Sequence, residues 1–145
     1  MSSPLPDAAD YALLAQFRTS LRRFLGFSAE AARKAGLAPQ QHQALLVIKG
    51  APGERLAIGA LAEALALRPH SAVGLIDRLA AAGLVRRLSV AEDRRRVDVA
   101  LTERAEALLA ALSAAHLEEL RRLRPALAAL LARLEEADDG GAQRL

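Results

Sequence analysis

The stretch that decides the fold is residues 83–102, which read GLVRRLSVAEDRRRVDVALT. Apolar residues here recur with a period of two, which is typical of strands, whereas the residues before them follow a helical period. One alternating run starts at Val85, and the other occupies residues 97–101. We expect the charged segment from Ser89 to Arg96 to be a solvent-facing loop, so the stretch predicts a β-hairpin of two short strands.

Two short helices are predicted immediately before this hairpin. Residues 57–67 place four apolar side chains at helical spacing: Ile58, Leu61, Ala62 and Leu65. Pro69 suits the first turn of the next helix, which ends at Gly83. The core face of that helix carries Ala72, Leu75, Ile76 and Leu79. Together with the hairpin, these helices predict a winged helix-turn-helix over residues 39–101, in which the second helix enters the major groove of DNA.

Long helices are predicted on either side of the winged helix. Asp10 is the expected N-cap of a helix over residues 10–36, and Gln41 is the expected capping-box partner in the helix that begins at Pro39. Thr102 is the expected cap of a last helical region over residues 102–137. Pro125 is expected to break or kink this region near Arg124, and the residues from Asp138 onward are expected to form a loose tail.

Composition narrows the class of protein. The chain has 145 residues, of which 52% are hydrophobic and 3% aromatic, so we expect one mostly helical domain over residues 1–145. The absence of Cys excludes disulfides, thiol catalysis, thiol redox sensing and Cys-ligated metals. We find no apolar run of membrane-spanning length and no basic leader followed by an apolar stretch. The expected location is therefore the cytoplasm.

Positive charge is concentrated in the middle of the chain. Residues 68–96 carry seven Arg and three acidic side chains, whereas residues 97–145 carry six Arg and nine acidic side chains. A local basic patch indicates a polyanionic partner such as DNA, although a solvated charged face has the same composition.

The same residues resemble the MarR family of bacterial transcriptional regulators. The resemblance rests on Leu61-Ala62-Glu63, on Asp77-Arg78-Leu79 with Gly83-Leu84-Val85, and above all on residues 93–102, DRRRVDVALT. This last stretch is similar to the family's wing signature, in which Asp-x-Arg precedes alternating apolar residues and Leu-Thr. The resemblance covers residues 10–137.

The resemblance implies a homodimer held by the first and last helices, a palindromic operator, and release of a repressor by a small aromatic or anionic ligand. The residues themselves support one part of this expectation. The terminal helices carry long Leu and Phe stripes that one small domain does not cover, and exposed stripes of this kind mark an interface.

The outward face of the second helix supplies the candidates for reading base edges. Pro69, His70, Ser71, Val73 and Gly74 lie at its start, where His and Ser side chains hydrogen-bond to bases or phosphates and Val73 contacts a thymine methyl. Packing within the protein is the alternative role for Val73. Arg68, at the position of a helix cap, offers a phosphate contact, and Arg78 contacts phosphate or pairs internally.

The hairpin supplies the remaining candidates. By resemblance, Arg95 is the wing-tip Arg that enters the minor groove, and Asp93 orients it through an ion pair. Arg94 and Arg96 are expected to contact phosphate or to be solvated. Arg86 and Arg87, at the base of the wing, are expected to meet phosphate.

The other polar residues suggest no chemistry of their own. The three His residues are isolated, so we expect no metal site, no cofactor and no enzyme, and His42 is the candidate residue for a ligand cleft. Two alternatives stay open: a winged-helix adaptor that binds a protein instead of DNA, and a DNA binder that responds to no ligand. Salt-sensitive, sequence-selective duplex binding distinguishes the adaptor from either regulator.

Overall fold

The structure of the chain is a computed structural model that describes residues 5–142, except for the side chains of Arg94 and of residues 137–142. The described elements follow one another in this order: α1 (Ala8–Lys34), α2 (Pro39–Gly50), a 3₁₀ turn (Pro52–Glu54), β1 (Arg55–Ala57), α3 (Ile58–Ala64), α4 (Pro69–Ala81), β2 (Val85–Val90), β3 (Asp93–Leu101) and α5 (Glu103–Ala142). The predicted fold class, mainly helical with a small hairpin, is confirmed.

The chain divides into two compact units. The central unit, residues 29–114, contains the helix-turn-helix and the sheet, and the terminal unit consists of residues 1–28 and 115–145. The predicted core face of α4 packs into the centre of the central unit, where Leu75, Ile76 and Leu79 are at most 1% exposed. Leu45, Ile48 and Leu61 complete this core from α2 and α3.

The first helix begins earlier than its predicted cap. Asp7 caps α1: its Oδ1 accepts a hydrogen bond from the amide of Asp10 at 2.9 Å, and the Asp10 carboxylate accepts one from the amide of Asp7 at 3.0 Å. The expectation that Asp10 is the N-cap was therefore wrong, because Asp10 lies three residues inside the cap as its reciprocal partner. The predicted role of Gln41 is confirmed, since its Oε1 accepts from the amide of Ala38.

The hairpin is part of a three-stranded antiparallel sheet with the order β1-β3-β2. β1 was not predicted, because a strand of three residues is too short to show a period. Residues 89–96 were predicted to be a loop, whereas β2 continues to Val90 and β3 begins at Asp93. Backbone pairing between these strands requires no apolar side chains, so a run of Arg residues is compatible with a strand that projects into solvent.

The last helix is continuous. α5 runs through Pro125 and on to Ala142, so of the two alternatives at Pro125 the break was wrong, and so was the loose tail over residues 138–142. The tail's last residues, 143–145, lie outside the described residues. Proline removes one backbone hydrogen bond, but the flanking residues are mainly Ala, Leu, Glu and Arg, all strong helix formers that favour continuation.

Across residues 5–142, the structure has no helix whose length and apolar content would let it cross a membrane.

Candidate nucleic-acid interface

A short turn fixes the angle between α3 and α4. The amide of Leu67 donates to the carbonyl of Ala62 at 2.8 Å, and Ala66 adopts the left-handed conformation with φ of 52°. Arg68 then occupies the N-cap of α4 without a side-chain cap hydrogen bond, as the sequence predicted. Pro69 begins the helix, whose apolar face packs into the core. The opposite face of α4 is therefore presented to solvent.

The outward face of α4 carries the predicted base-reading residues. Pro69 and His70 are exposed, Ser71 and Gly74 are half-buried, and Val73 is 43% exposed. The exposure of Val73 favours the outward role over core packing. The guanidinium of Arg78 lies close to Gly74: its Nη1 would be 3.5 Å from a Cβ placed on that glycine. Arg78 thus extends along the helix towards the predicted base-reading positions.

The wing presents exposed arginines beside this helix. The two strands turn at Ala91 and Glu92, and the Asp93 carboxylate accepts a hydrogen bond from the backbone amide of Arg95 at 3.0 Å. Asp93 thus shapes the backbone at the turn, and the Arg95 side chain is exposed. Arg94 belongs to β3, but its side chain lies outside the described residues.

An ion pair joins the wing to α4. The guanidinium of Arg87, in β2, donates to the carboxylate of Asp77, in α4. Arg87 therefore has a protein partner and holds the wing against the helix. Arg86, its neighbour in the strand, is on the opposite face of the sheet and exposed. Of the two arginines predicted at the base of the wing, Arg86 has the more accessible charge.

A second group of charges lies on the other face of the sheet. Asp98 is only 3% exposed and accepts hydrogen bonds from Arg55 at 2.8 Å and from Arg96 at 2.9 Å. The hydrogen bonds, first that from Arg96 and then that from Arg55, hold the pKa of the Asp98 carboxyl below its ordinary value. The same contact raises the pKa of Arg96. Arg96, predicted as a phosphate contact or a solvated residue, is therefore anchored at its Nε.

Neither Arg55 nor Asp98 was predicted as a site residue. One available signal was the position of Asp98 between Val97 and Val99, because a carboxylate within an apolar strand requires a partner when it is buried.

The start of α5 fastens the end of α4. The Thr102 hydroxyl donates to the carbonyl of Gly83 at 2.7 Å and accepts from the amide of Ala105 at 3.3 Å, which confirms Thr102 as a helix cap. Arg104 donates to the carbonyl of Ala82 at 2.8 Å. Gly83 itself has a φ of 72°, which glycine adopts without strain. The C-terminal end of α4 is thus held by residues beyond the wing.

The remaining predicted site residue is internal. His42, on α2, is 3% exposed and belongs to the buried part of the central unit. Within the described residues, no group of three His, Asp or Glu side chains is arranged to hold a metal ion.

The terminal unit presents an apolar surface. Along α5, Leu117, Leu120, Leu127 and Leu131 line a groove of about 430 Å³ together with Arg121 and Arg124. Leu117 and Leu131 are 53% and 59% exposed. We call this surface the α5 groove.

Within the same unit, the ring of His116 packs edge-on against Phe24 and Phe27, and its Nε2 is 2.8 Å from the Ser28 hydroxyl.

Comparison with known families gives a match to the central part of the chain. The model of the MarR family matches residues 35–96, a segment that begins just after α1 and runs through the helix-turn-helix to Arg96 in the wing. Among curated protein sequences, none matches the chain significantly.

Solved structures share the fold over nearly the whole chain. AbsC, a MarR family transcriptional regulator from Streptomyces coelicolor, has a TM-score of 0.68 at 20% identity, over 97% of this chain and 96% of AbsC. The S. aureus MepR–DNA complex has a TM-score of 0.68 at 19% identity, over 88% of this chain and 93% of MepR. NadR in complex with 4-hydroxyphenylacetate has a TM-score of 0.62 at 22% identity, over 99% of this chain and 96% of NadR.

Proposed function

We propose that this chain, whose residues 35–96 match the MarR family model, is a sequence-specific DNA-binding regulator of that family and acts as a homodimeric repressor. The observation that carries this proposal is the surface formed by the outward face of α4 and the wing, which Asp77 and Arg87 hold together. Such a surface fits a recognition helix in the major groove with a wing in the adjacent minor groove. The proposed compartment is the cytoplasm, where the operator DNA is found.

The roles of the residues follow from their positions on this surface. His70 and Ser71, in the first turn of α4, contact base edges, and Val73 meets a thymine methyl. Arg78 reaches a base or phosphate from its position beside Gly74. Arg95, exposed near the tip of the wing, enters the minor groove, where the narrow groove of A·T-rich DNA attracts arginine. Arg68, Arg86 and Arg94 are assigned to phosphates, which set the affinity without reading sequence.

The DNA-binding proposal is tested with duplexes selected by the protein from the DNA that flanks its own coding region. We expect the parent to protect a palindromic site, with half-sites roughly 10 base pairs apart from centre to centre. Arg95→Ala is expected to weaken binding at fixed salt and to leave the helical content and the oligomeric state unchanged. Arg33→Ala, which removes an exposed arginine from α1, is the matched control. Equal operator affinity for Arg95→Ala and the parent would contradict the role of the wing.

Base reading requires a separate measurement. The double variant His70→Ala, Ser71→Ala is expected to change the preferred bases, since each good base contact contributes about 1–3 kcal/mol of discrimination. The preferred sequence is measured by selection from a random duplex library. The same consensus for the double variant and the parent would refute the assignment, and no duplex binding by the parent would favour the adaptor function.

A second copy of the chain is the proposed partner of the α5 groove. The groove is apolar and its leucines are exposed, and surfaces of this kind mark interfaces. A homodimer also explains a palindromic operator, because a two-fold axis in the protein requires one in the DNA.

Release by a small aromatic or anionic ligand is the proposed mode of control, with His42 as the candidate contact. NadR binds 4-hydroxyphenylacetate, which makes that acid the first probe together with benzoate. A ligand lowers DNA affinity only if it binds better to a conformation that does not fit the operator. We expect one such acid to weaken operator binding by the parent and to lose this effect in His42→Phe. If neither acid changes the affinity, the protein is a DNA binder that responds to neither.

A further inference from the structure

The sheet of the central unit has two faces with different charges. In the pairing of β1 and β3, Arg55 lies opposite Ala100, and paired residues lie on the same face. Alternation along β3 places Arg96 and Asp98 on that face with Ala100, whereas Val99 points into the core. We call the face with Arg55, Arg96 and Asp98 the outer face. Arg87, which pairs with Asp77 of α4, lies on the inner face, opposite Val99.

The two arginines of the outer face bind Asp98 in the same way. Each donates its Nε to a different carboxylate oxygen: Arg55 to Oδ2 and Arg96 to Oδ1. Within the described residues, the Nη1 and Nη2 groups of both arginines have no hydrogen-bond partner from the protein. The side chains of Arg55 and Arg96 are 39% and 53% exposed, whereas that of Asp98 is 4% exposed. The carboxylate thus forms the base of the cluster, and free N–H donors remain at its surface.

The charges of the cluster do not cancel. Two guanidinium groups share one carboxylate, so the cluster keeps one positive charge. Its residues line a groove of about 370 Å³ that continues along the wing to Val90 and Glu92. Glu92, at the hairpin turn, makes that end of the groove unfavourable for an anion. An anion is therefore expected at the other end, over Arg55 and Arg96.

The position of this cluster on the wing indicates which anion it receives. A wing in the minor groove, about 6 Å wide, lies between two phosphate strands. On the proposed function, the inner face, joined to α4 by Arg87 and Asp77, would meet the backbone that separates this minor groove from the major groove entered by α4. The outer face would then meet the strand on the far side of the minor groove.

We propose that Arg55 and Arg96 bind a phosphate of this far strand and that Asp98 is the positioning residue that orients both guanidiniums towards it. The inference rests on the proposed function and extends it, because it adds a contact outside the helix-turn-helix and the wing tip. Arginine suits such a contact, since its planar group can bind a carboxylate with one edge and a phosphate oxygen with another.

The test measures operator affinity as a function of salt for the full-length protein. Arg55→Gln and Arg96→Gln are each expected to lower the log–log salt slope by about 0.9, the value for one lost phosphate contact. Both variants are expected to keep the parent's preferred sequence. Arg33→Gln, which removes the same charge from an exposed position on α1, is the control and is expected to keep the parent's slope. Unchanged slopes for both cluster variants would overturn the inference.

The variant Asp98→Asn distinguishes whether Asp98 positions the guanidinium groups of Arg55 and Arg96 or only neutralises their charge. If Asp98 only neutralised the arginines, its removal would add a positive charge and strengthen binding. If Asp98 positions the arginines, as we propose, binding weakens despite the added charge. Ethylation of the far-strand phosphate, which is expected to weaken DNA binding by the parent, then has no such effect on DNA binding by the variant. Thermal melting checks that Asp98→Asn is folded. If it is not folded, the salt slopes of Arg55→Gln and Arg96→Gln still test the inference.

Two further results distinguish the possible failures. If the parent binds no duplex selectively, the proposed function fails and the salt slopes are not defined. If the parent binds its operator but inorganic phosphate alone saturates the cluster at micromolar concentration, the site receives a free anion and the far-strand contact is wrong. We expect inorganic phosphate to bind only weakly, because it lacks the neighbouring contacts of a duplex.

Discussion

The central and terminal units bury apolar side chains to very different extents. In the central unit, Leu45, Leu61 and Leu75 are at most 1% exposed. In the described part of the terminal unit, no hydrophobic side chain is buried to this degree, and Leu25, Leu117 and Leu134 are each more than half exposed. Both units are rich in Ala and Leu, so the content of these two residues does not explain the difference.

The difference lies in how the apolar residues are arranged along the chain. The central unit combines short helices and a sheet whose apolar faces turn towards one another and close a core. The terminal unit consists of parts of two long helices, and two helices bury only one stripe each. The comparison indicates that the central unit is complete in one chain, whereas the terminal unit requires further apolar surface, which the proposed dimer supplies.

The largest expected effect is the loss of a core side chain from the central unit. Leu75→Ala is expected to lower the free energy of unfolding by about 2–5 kcal/mol, because it leaves a cavity among fully buried neighbours. Leu46→Ala makes the same substitution at a side chain that is 50% exposed and is expected to cost no more than about 0.5 kcal/mol. Urea denaturation at one protein concentration measures both. Equal losses in the free energy of unfolding for Leu75→Ala and Leu46→Ala would contradict a closed core in the central unit.

The next effect concerns association through the terminal unit. Leu117→Glu places a charge in the α5 groove and is expected to weaken the dimer at least tenfold, or about 1.4 kcal/mol, because the charge loses water on association. Sedimentation at several micromolar concentrations measures the change. Ala111→Glu, an exposed position on α5 in the central unit, is the control. A parent that sediments as a monomer at these concentrations would contradict the proposed dimer.

A smaller effect is expected in the turn of the helix-turn-helix. Ala66 has a φ of 52°, a conformation that costs a residue with a Cβ about 1–2 kcal/mol and glycine almost nothing. Ala66→Gly is therefore expected to raise the stability of the central unit by about 0.5–1 kcal/mol after the greater flexibility of the unfolded chain is included. Ala114→Gly, in the middle of α5, is expected to have the opposite sign. Thermal melts that rank the two variants in the reverse order would contradict the strain at Ala66.

The smallest expected effect is a difference between the two units in how their carboxylates make stability depend on pH and salt. The pKa of Asp98 is lowered by Arg96 and then Arg55, and that of Asp10 mainly by the hydrogen bond from Arg133. A lowered pKa in the folded state stabilises the protein above the ordinary Asp value of about 3.9, and the stabilisation is lost as pH falls through the folded pKa.

The unfolding midpoint in urea, measured between pH 5 and pH 2, is expected to fall more for the parent than for Asp98→Asn or Asp10→Asn. In 1 M salt the difference is expected to shrink more for Asp10, whose side chain is 35% exposed, than for Asp98. Equal screening of the two carboxylates would argue against the buried setting of Asp98.

Features determined by neighbouring residues were predictable from the sequence. Helix spacing identified α3 and α4, the turn at Gly83 was expected from its residue type, and Thr102 and Gln41 were correctly identified as capping residues. Two local predictions failed because charge and proline were given too much weight. The Arg-rich run belongs to a strand, and α5 continues through Pro125.

Contacts between distant residues were not predictable. The burial of Asp98 depends on β1, and Arg55 is 43 residues away from it along the chain. A strand of three residues shows no period, so neither β1 nor the central position of β3 in the sheet could be inferred. The pairing of Arg87 with Asp77 is of the same kind, because the relative placement of helix and wing emerges only in the folded chain.

The ion pair between Asp77 and Arg87 has a consequence for the spacing of bases within an operator. The direct contact fixes the distance between the helix and the wing, which on the proposed function would lie in the major groove and the adjacent minor groove. Inserting one base pair between the two contacted segments moves them by about 3.4 Å and turns them by roughly a tenth of a turn, which a helix and a wing at a fixed distance cannot follow. On the proposed function, natural binding sites should therefore tolerate base changes within a half-site far better than a change in its length.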